Sequence, residues 1–256
     1  MGAWHHLMSS SIAKSTSAIA KPVSIDVSTT ISVSGLLQTQ PQARACYVLA
    51  HGAGAGMDHP FMAEVARGLA RRGVATLRYQ FPYMERGTRR PDPPQLAQAT
   101  VRAAVAAALS LLPKLPLIAG GKSFGGRMTS QAEAKASLGV RGLAFLGFPL
   151  HPAGRPSQDR AEHLFEVKIP MLFLQGTRDK LAELDQLEPL CKKLGRHATL
   201  KLFADADHSF HVPKRTGRTD AQVLDDVLDA FAAWLDSGPP HRRAKARRPS
   251  DGYARG

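Results

Sequence analysis

The stretch "LIAGGKSFGGRM", residues 117–128, sets Gly121, Lys122 and Ser123 directly after a short apolar run. Two chemistries use such a turn. In a phosphate-cradling loop the first glycine stands five residues before the glycine that precedes the lysine, so that backbone N–H groups wrap the phosphates. That position is Pro116 here, which has no N–H and a fixed φ. The Gly-x-Ser-x-Gly frame fits as it stands, through Gly121, Ser123 and Gly125, with a further glycine at 126. It places a serine on a sharp strand-to-helix turn with its hydroxyl free to attack an acyl carbon. An ordinary turn serine satisfies the same five residues, so the partners decide.

A serine hydroxyl is a poor nucleophile until a base takes its proton, and the base needs an acid that holds its tautomer. Asp179 ends "MLFLQGTRD" (171–179) and His208 lies in "ADADHSFH" (204–211). Each follows a strand-like run, so both project from the carboxyl edge of a parallel sheet, where ligands of such sheets bind. Asp185 falls inside the next helical stretch, and Asp205 and Asp207 are too near His208 to reach its far ring nitrogen without a sharp fold-back. The structural alternative for Asp179 is a helix cap. Of the other histidines, His211 is expected to be solvated or a pocket wall, and His163 and His151 lie before the last strand. The tetrahedral intermediate also needs oxyanion donors. The N–H of Phe124, after the nucleophile, is one, and the N–H of Ala53 in "YVLAHGAGAGMDHPF" (47–61) is the other. A dinucleotide fingerprint on Gly52 and Gly54 fails, because its third glycine falls on Met57. Met57, Phe61, Leu150 and Phe210 are expected to line the acyl pocket. Lys122 and Arg127 either attract an acidic substrate or pack beneath the turn, and a structural ion pair is the expectation for Lys122.

The elements that must carry these residues are legible from periodicity. "VSIDVSTTISVSGLL" (23–37) alternates and is rich in Val, Ile and Thr, which predicts one or two antiparallel strands. The runs at 46–50, 74–79, 117–121, 143–148, 171–176 and 199–203 are apolar on both faces, as in a covered parallel sheet. Helical spacing appears in Phe61, Val65 and Leu69, and in Val101, Val105, Leu109 and Leu112. Another helix is expected directly after Ser123. The last helix has a capping box in Thr219 and Gln222, an apolar face of Val223, Leu224, Val227, Leu228, Phe231 and Leu235, and a Gly238-Pro239 stop. Strands alternating with helices predict a three-layer α/β sandwich.

Composition sets the outer limits. With 256 residues, 43% of them hydrophobic, one domain with a sizeable core is expected, spanning 23–237, with no membrane contact. Residues 1–22, rich in Ser and Ala, read as a disordered or artificially added leader without the apolar centre of a secretory signal, and a cytoplasmic location is expected. The net charge of +13 is unevenly placed: a tail over 238–256 carries +5 of it, six cationic side chains from Arg242 to Arg255 against Asp251 alone, and is expected to be disordered. Weak contact with a polyanion is its expected use. The two cysteines, Cys46 and Cys191, read as small buried hydrophobes.

The order of these motifs resembles that of α/β-hydrolases over residues 23–237, and more narrowly the small, lidless, dienelactone-hydrolase-like group with an "HGAG" loop and a "GGKSxGGR" elbow. "GFPLHPAGRP" (147–156) and "FLQGTRD" (173–179) also match that group. The resemblance implies a mostly parallel sheet without a separate lid domain, and Ser123, Asp179 and His208 as a triad. No cofactor and no metal are expected. Dienelactone hydrolases use a cysteine where this chain has Ser123, so their substrate does not carry over. The expected activity is hydrolysis of small carboxylic esters or thioesters through an acyl-enzyme, and the alternative is a non-catalytic scaffold that keeps the fold.

Overall fold

A computed structural model describes residues 19–238; the leader up to residue 18 and the basic tail from 239 lie outside the described residues. The chain runs β1 (Lys21–Asp26), β2 (Ser32–Gln38), β3 (Ala45–Ala50), α1 (Pro60–Arg71), β4 (Val74–Tyr79), α2 (Pro82–Glu85), α3 (Pro94–Leu111) and β5 (Leu117–Lys122). It continues through α4 (Phe124–Lys135), β6 (Gly142–Leu146), a 3₁₀ helix (Asp159–Glu166), β7 (Met171–Gly176), α5 (Leu184–Leu194), β8 (Ala198–Phe203) and α6 (Asp220–Asp236). The strands form one sheet in the order β1-β2-β4-β3-β5-β6-β7-β8. β1 and β2 pair antiparallel, as does β2 with β4, and every later pairing is parallel.

The three layers follow from the period of two along each strand. Cys46, Val48 and Ala50 of β3 face the core shared with α3, α4 and α5, while Tyr47 and Leu49 face the core shared with α1 and α6. Both faces of the central strands are therefore covered. This is why their sequence reads as unbroken apolar runs.

Four details depart from the periodic reading. β1 begins at Lys21, two residues before the alternation does, because Lys21 and Pro22 pair with Leu37 and Leu36. β6 stops at Leu146, since Gly147 adopts φ +72° and turns the chain before Phe148. On α3 the buried stripe is Ala97, Val101, Ala104, Val105 and Ala108, and Leu109 is exposed. Steps of four residues advance about 40° further round the helix each time, so a face that begins at Val101 has left the core by Leu109. On α6 the core takes Trp234 as well as Val223, Val227, Leu228 and Phe231. Its N-terminus carries the predicted box, with Gln222 N–H donating to Thr219 Oγ1 at 3.2 Å and Thr219 N–H to Gln222 Oε1 at 2.8 Å.

Among the described residues no lid domain covers the carboxyl edge. Between β6 and β7 the chain forms loop and the single 3₁₀ helix, which packs on α4 through Ser130 Oγ and His163 Nε2 at 2.7 Å. Among the described residues no helix is long and apolar enough to cross a membrane.

Candidate active site

β5 delivers Ser123 to the carboxyl edge of the sheet and α4 leaves from it at once. Ser123 holds φ 50° and ψ −114°, a conformation that costs a non-glycine residue of order 1–3 kcal/mol. It occupies the N-cap position of α4, yet its side chain makes no capping hydrogen bond. The hydroxyl is left available for chemistry. The turn is tight because α4 starts hard against β3: a Cβ on Gly125 would stand 2.6 Å from both the Ala50 Cβ and the His51 carbonyl oxygen. Gly125→Ala must push backbone aside, and an overpacking cost of about 1–3 kcal/mol is expected. Thermal unfolding of that variant should show Tm lowered by about 2–4 °C per kcal/mol for a domain this size.

Asp179 and His208 come from the loops after β7 and β8 and meet there. His208 Nδ1 stands 2.6 Å from Asp179 Oδ2. The carboxylate is fully buried and satisfied on every side: Oδ2 also accepts from Gln175 Nε2 and Oδ1 accepts from the Leu181 N–H at 2.8 Å. This arrangement assigns the proton to Nδ1 and leaves Nε2 as the basic atom. Nε2 is buried without a hydrogen-bond partner, and Ser123 Oγ has not closed on it; such a bond commonly tightens only when substrate is bound. Burial, and next the Lys122 cation, hold the His208 pKa below its usual value despite the opposing hydrogen bond that His208 donates to Asp179.

The rival carboxylates lie elsewhere. Asp207 Oδ1 folds back onto the N–H groups of Ser209 (2.7 Å) and His211 (3.0 Å). Asp205 stands 3.8 Å from Arg215, and Asp185 sits in the first turn of α5. His211 pairs with Asp220 on the surface and, with His208, Arg178, Lys180 and Arg215, lines an open groove of about 580 Å³.

The loop after β3 is pinned by residues whose part periodicity does not disclose. His51 is buried; its Nε2 accepts the Phe81 N–H at 3.1 Å, which puts its proton on Nδ1, 2.7 Å from the Gly52 carbonyl. Tyr83 Oη accepts the Gly54 N–H at 2.9 Å and Gln80 Oε1 accepts the Met57 N–H at 2.8 Å. Ala55 N–H is taken by the Gly52 carbonyl at 3.3 Å. Among the described residues the N–H groups of Ala53 and Phe124 are bound to no protein acceptor, so both remain free to donate to a ligand.

Burial pushes His51 and His163 down to about 4, so both are neutral in the fold. Unfolded, each protonates near 6.5. Their contribution to stability is therefore complete above about pH 6.5 and is lost as the pH falls from there to about 4. The urea midpoint should drop between pH 7 and pH 4.5, and drop less in His163→Asn, which has one fewer such group.

The apolar residues expected around the acyl group separate. Phe61 is half-buried and stacks on Phe210 with ring centroids 6.3 Å apart, and Met57 and Phe210 are buried, Phe210 within the core shared with α1 and α6. Leu150 does not line a pocket: it is completely buried in the core. The reason is that its N–H and that of His151 both bond the Leu181 carbonyl, at 2.8 and 3.2 Å, which draws this loop inward. Lys122 forms no ion pair among the described residues; its ammonium donates to the backbone carbonyl of His208, since Asp179 and Asp207 are already committed. Arg127 reaches over the Phe124 ring, 6.0 Å from its centroid, with Nε buried and unpartnered. Both cysteines are buried and their thiols pushed up to about 12, so neither supplies a thiolate.

Gln175 escaped periodic reading, although its signal was present: a polar side chain within an apolar β7 must be hydrogen-bonded. It is fully buried, and its Oε1 accepts the Phe148 N–H at 2.9 Å while its Nε2 holds Asp179.

Comparison with known proteins gives the same architecture. A lidless a/b serine hydrolase of Xanthomonas campestris superposes with a TM-score of 0.66 at 19% identity, over 84% of this chain and 95% of that one. A dienelactone hydrolase of Anabaena variabilis gives 0.70 at 21%, over 87% and 99%, and the esterase domain of a Rhodothermus marinus protein gives 0.65 at 17%, over 86% and 99%. At these identities the likeness establishes the fold. The family model described as an alpha/beta hydrolase domain matches residues 43–236, most of the described chain, and on that match the chain belongs to the α/β-hydrolase family.

Proposed function

We propose that this protein is a serine hydrolase that cleaves small carboxylic esters or thioesters through an acyl-enzyme on Ser123. The observation that carries the reading is a strained serine with an uncapped hydroxyl at the same sheet edge as an Asp179–His208 pair whose Nε2 is unpartnered. Strain of this kind persists only where the surrounding structure over-determines it, and it concentrates at active sites. In the first half-reaction Ser123 Oγ attacks the acyl carbon as His208 Nε2 takes its proton, and the oxyanion accepts from the N–H groups of Ala53 and Phe124. The imidazolium then protonates the leaving alcohol or thiol. In the second half-reaction His208 activates water against the acyl-enzyme, and the acid departs with Ser123 restored. Asp179 holds the Nδ1 proton throughout and stabilises the imidazolium. The open edge suits small acyl groups.

A fluorophosphonate probe, followed by a panel of short acyl esters and thioesters, tests this. Labelling at Ser123 with turnover of at least one ester class is expected. A protein that neither labels nor turns over any of them is the scaffold alternative instead.

A further inference from the structure

The mechanism above leaves Lys122 unused, although it stands between the glycine and the serine of the elbow. Its Nζ donates to the main-chain carbonyl of His208 at 2.5 Å, joining the end of β5 to a loop 86 residues further on. The ammonium lies 5.8 Å from the Phe210 ring centroid. It also fills the space at Gly147, where a Cβ would come within 2.8 Å of Nζ and 3.3 Å of His208 Cε1.

The loop it grips needs holding. Asp205 and Phe210, on either side of His208, both carry positive φ, 58° and 64°, and non-glycine residues stay there only when other contacts enforce it. Asp207 enforces it from within the loop, through the N–H groups of Ser209 and His211. From outside, the loop after β7 holds its first part, Thr177 Oγ1 accepting the Asp205 N–H at 2.9 Å and the Arg178 N–H donating to the Ala206 carbonyl at 2.8 Å, Asp179 holds the His208 ring, and Lys122 ties the His208 main chain to β5.

We propose that Lys122 is a positioning residue for the base: its ammonium fastens the His208 main chain to the residue adjoining the nucleophile, and so sets the distance between His208 and Ser123. This rests on the acyl-transfer reading of those two residues. The tie has an electrostatic counterpart. The charged groups that act on His208 are Asp179 from the loop after β7, Asp207 from its own loop and Lys122 from β5, and the groove it lines also carries Arg178, Lys180, His211 and Arg215. The two carboxylates favour the imidazolium; burial first, and Lys122 with it, oppose it and hold the His208 pKa below its usual value. Lys122 itself is brought down to about 8 by burial, against the pull of Asp179 and Asp207.

Lys122→Met keeps the length and the apolar stem but loses donor and charge. Its kcat should fall about 10–100-fold, the scale of a small misplacement of a reacting group, with KM changed by less than about threefold. In wild type, kcat/KM should decline on the acid side as His208 protonates and on the alkaline side as Lys122 loses its charge near 8. In Lys122→Met the acid limb should move to higher pH, because the opposing cation is gone, and the alkaline limb near 8 should vanish. Lys122→Arg, which keeps charge and donors, should return the acid limb to its wild-type position. NMR titration of the His208 imidazole in Ser123→Ala, with and without Lys122→Met, reads the coupling without turnover, so it stands even if no ester is cleaved. Its midpoint should rise when Lys122 is replaced. The proposal is overturned if that midpoint does not move, or if Lys122→Met keeps wild-type kcat and both limbs.

Discussion

Ser123→Ala is expected to abolish turnover and fluorophosphonate labelling and to leave the fold intact. Removing the nucleophile of a serine hydrolase costs about 10⁶ in kcat where it has been measured, and a loss of that order is expected here. Folding should be indifferent because the hydroxyl makes no hydrogen bond among the described residues and caps nothing, so its removal orphans no partner. The backbone at φ 50° is strained equally for alanine and serine. Thermal unfolding within about 1 °C of wild type, together with loss of labelling, is the result that assigns the acyl-enzyme to this residue. Labelling that survives the substitution would place the nucleophile elsewhere and sink the mechanism.

The second large effect is expected at Asp179→Asn. Both the His208 Nδ1–H and Gln175 Nε2 point at Oδ2, while the Leu181 N–H points at Oδ1. An ionised carboxylate accepts all three. An amide has one acceptor oxygen, so either orientation sets its NH₂ against a donor. If the NH₂ faces His208, the imidazole moves its proton to Nε2 and can no longer take one from Ser123. The equivalent change in a well-studied triad costs about 10⁴ in kcat, and a similar loss is expected.

Asn at 207 should cost only a few-fold, because its side-chain oxygen can still accept from Ser209 and His211. Asn at 185 or 205 should cost less still, since neither side chain approaches the base. Steady-state kinetics on the four variants, with near-UV circular dichroism to confirm folding, give the ranking. A loss at 207 larger than that at 179 would overturn the assignment of the acid.

What the sequence determined by itself is whatever short-range physics controls. Gly121-x-Ser123-x-Gly125 announces its turn because the sterics of a sharp strand-to-helix junction act over a few residues. Thr219 and Gln222 announce the start of α6 because a capping box closes within four residues. The runs in β3 to β7 announce a covered sheet because both faces of each strand meet helices, whereas β8, read the same way from 199–203, is the edge strand and leaves Lys201 and Leu202 exposed; once the sheet is parallel its carboxyl edge gathers Ser123, Asp179 and His208. Tertiary structure decided what depends on which distant surface arrives opposite. Leu109 belongs to the apolar stripe of α3 by its spacing until packing takes Ala104 inward and leaves Leu109 exposed; Leu150 is a pocket residue until the Leu181 carbonyl pulls its loop inward. His51 has no visible task until Phe81 presents an N–H to it across 30 residues. Lys122 reads as half of an ion pair until the loop after β8 brings the His208 carbonyl to its ammonium and leaves both nearby carboxylates engaged. Each of these is a buried polar or packing choice settled by a partner far away in the chain, and burial without that partner would be costly.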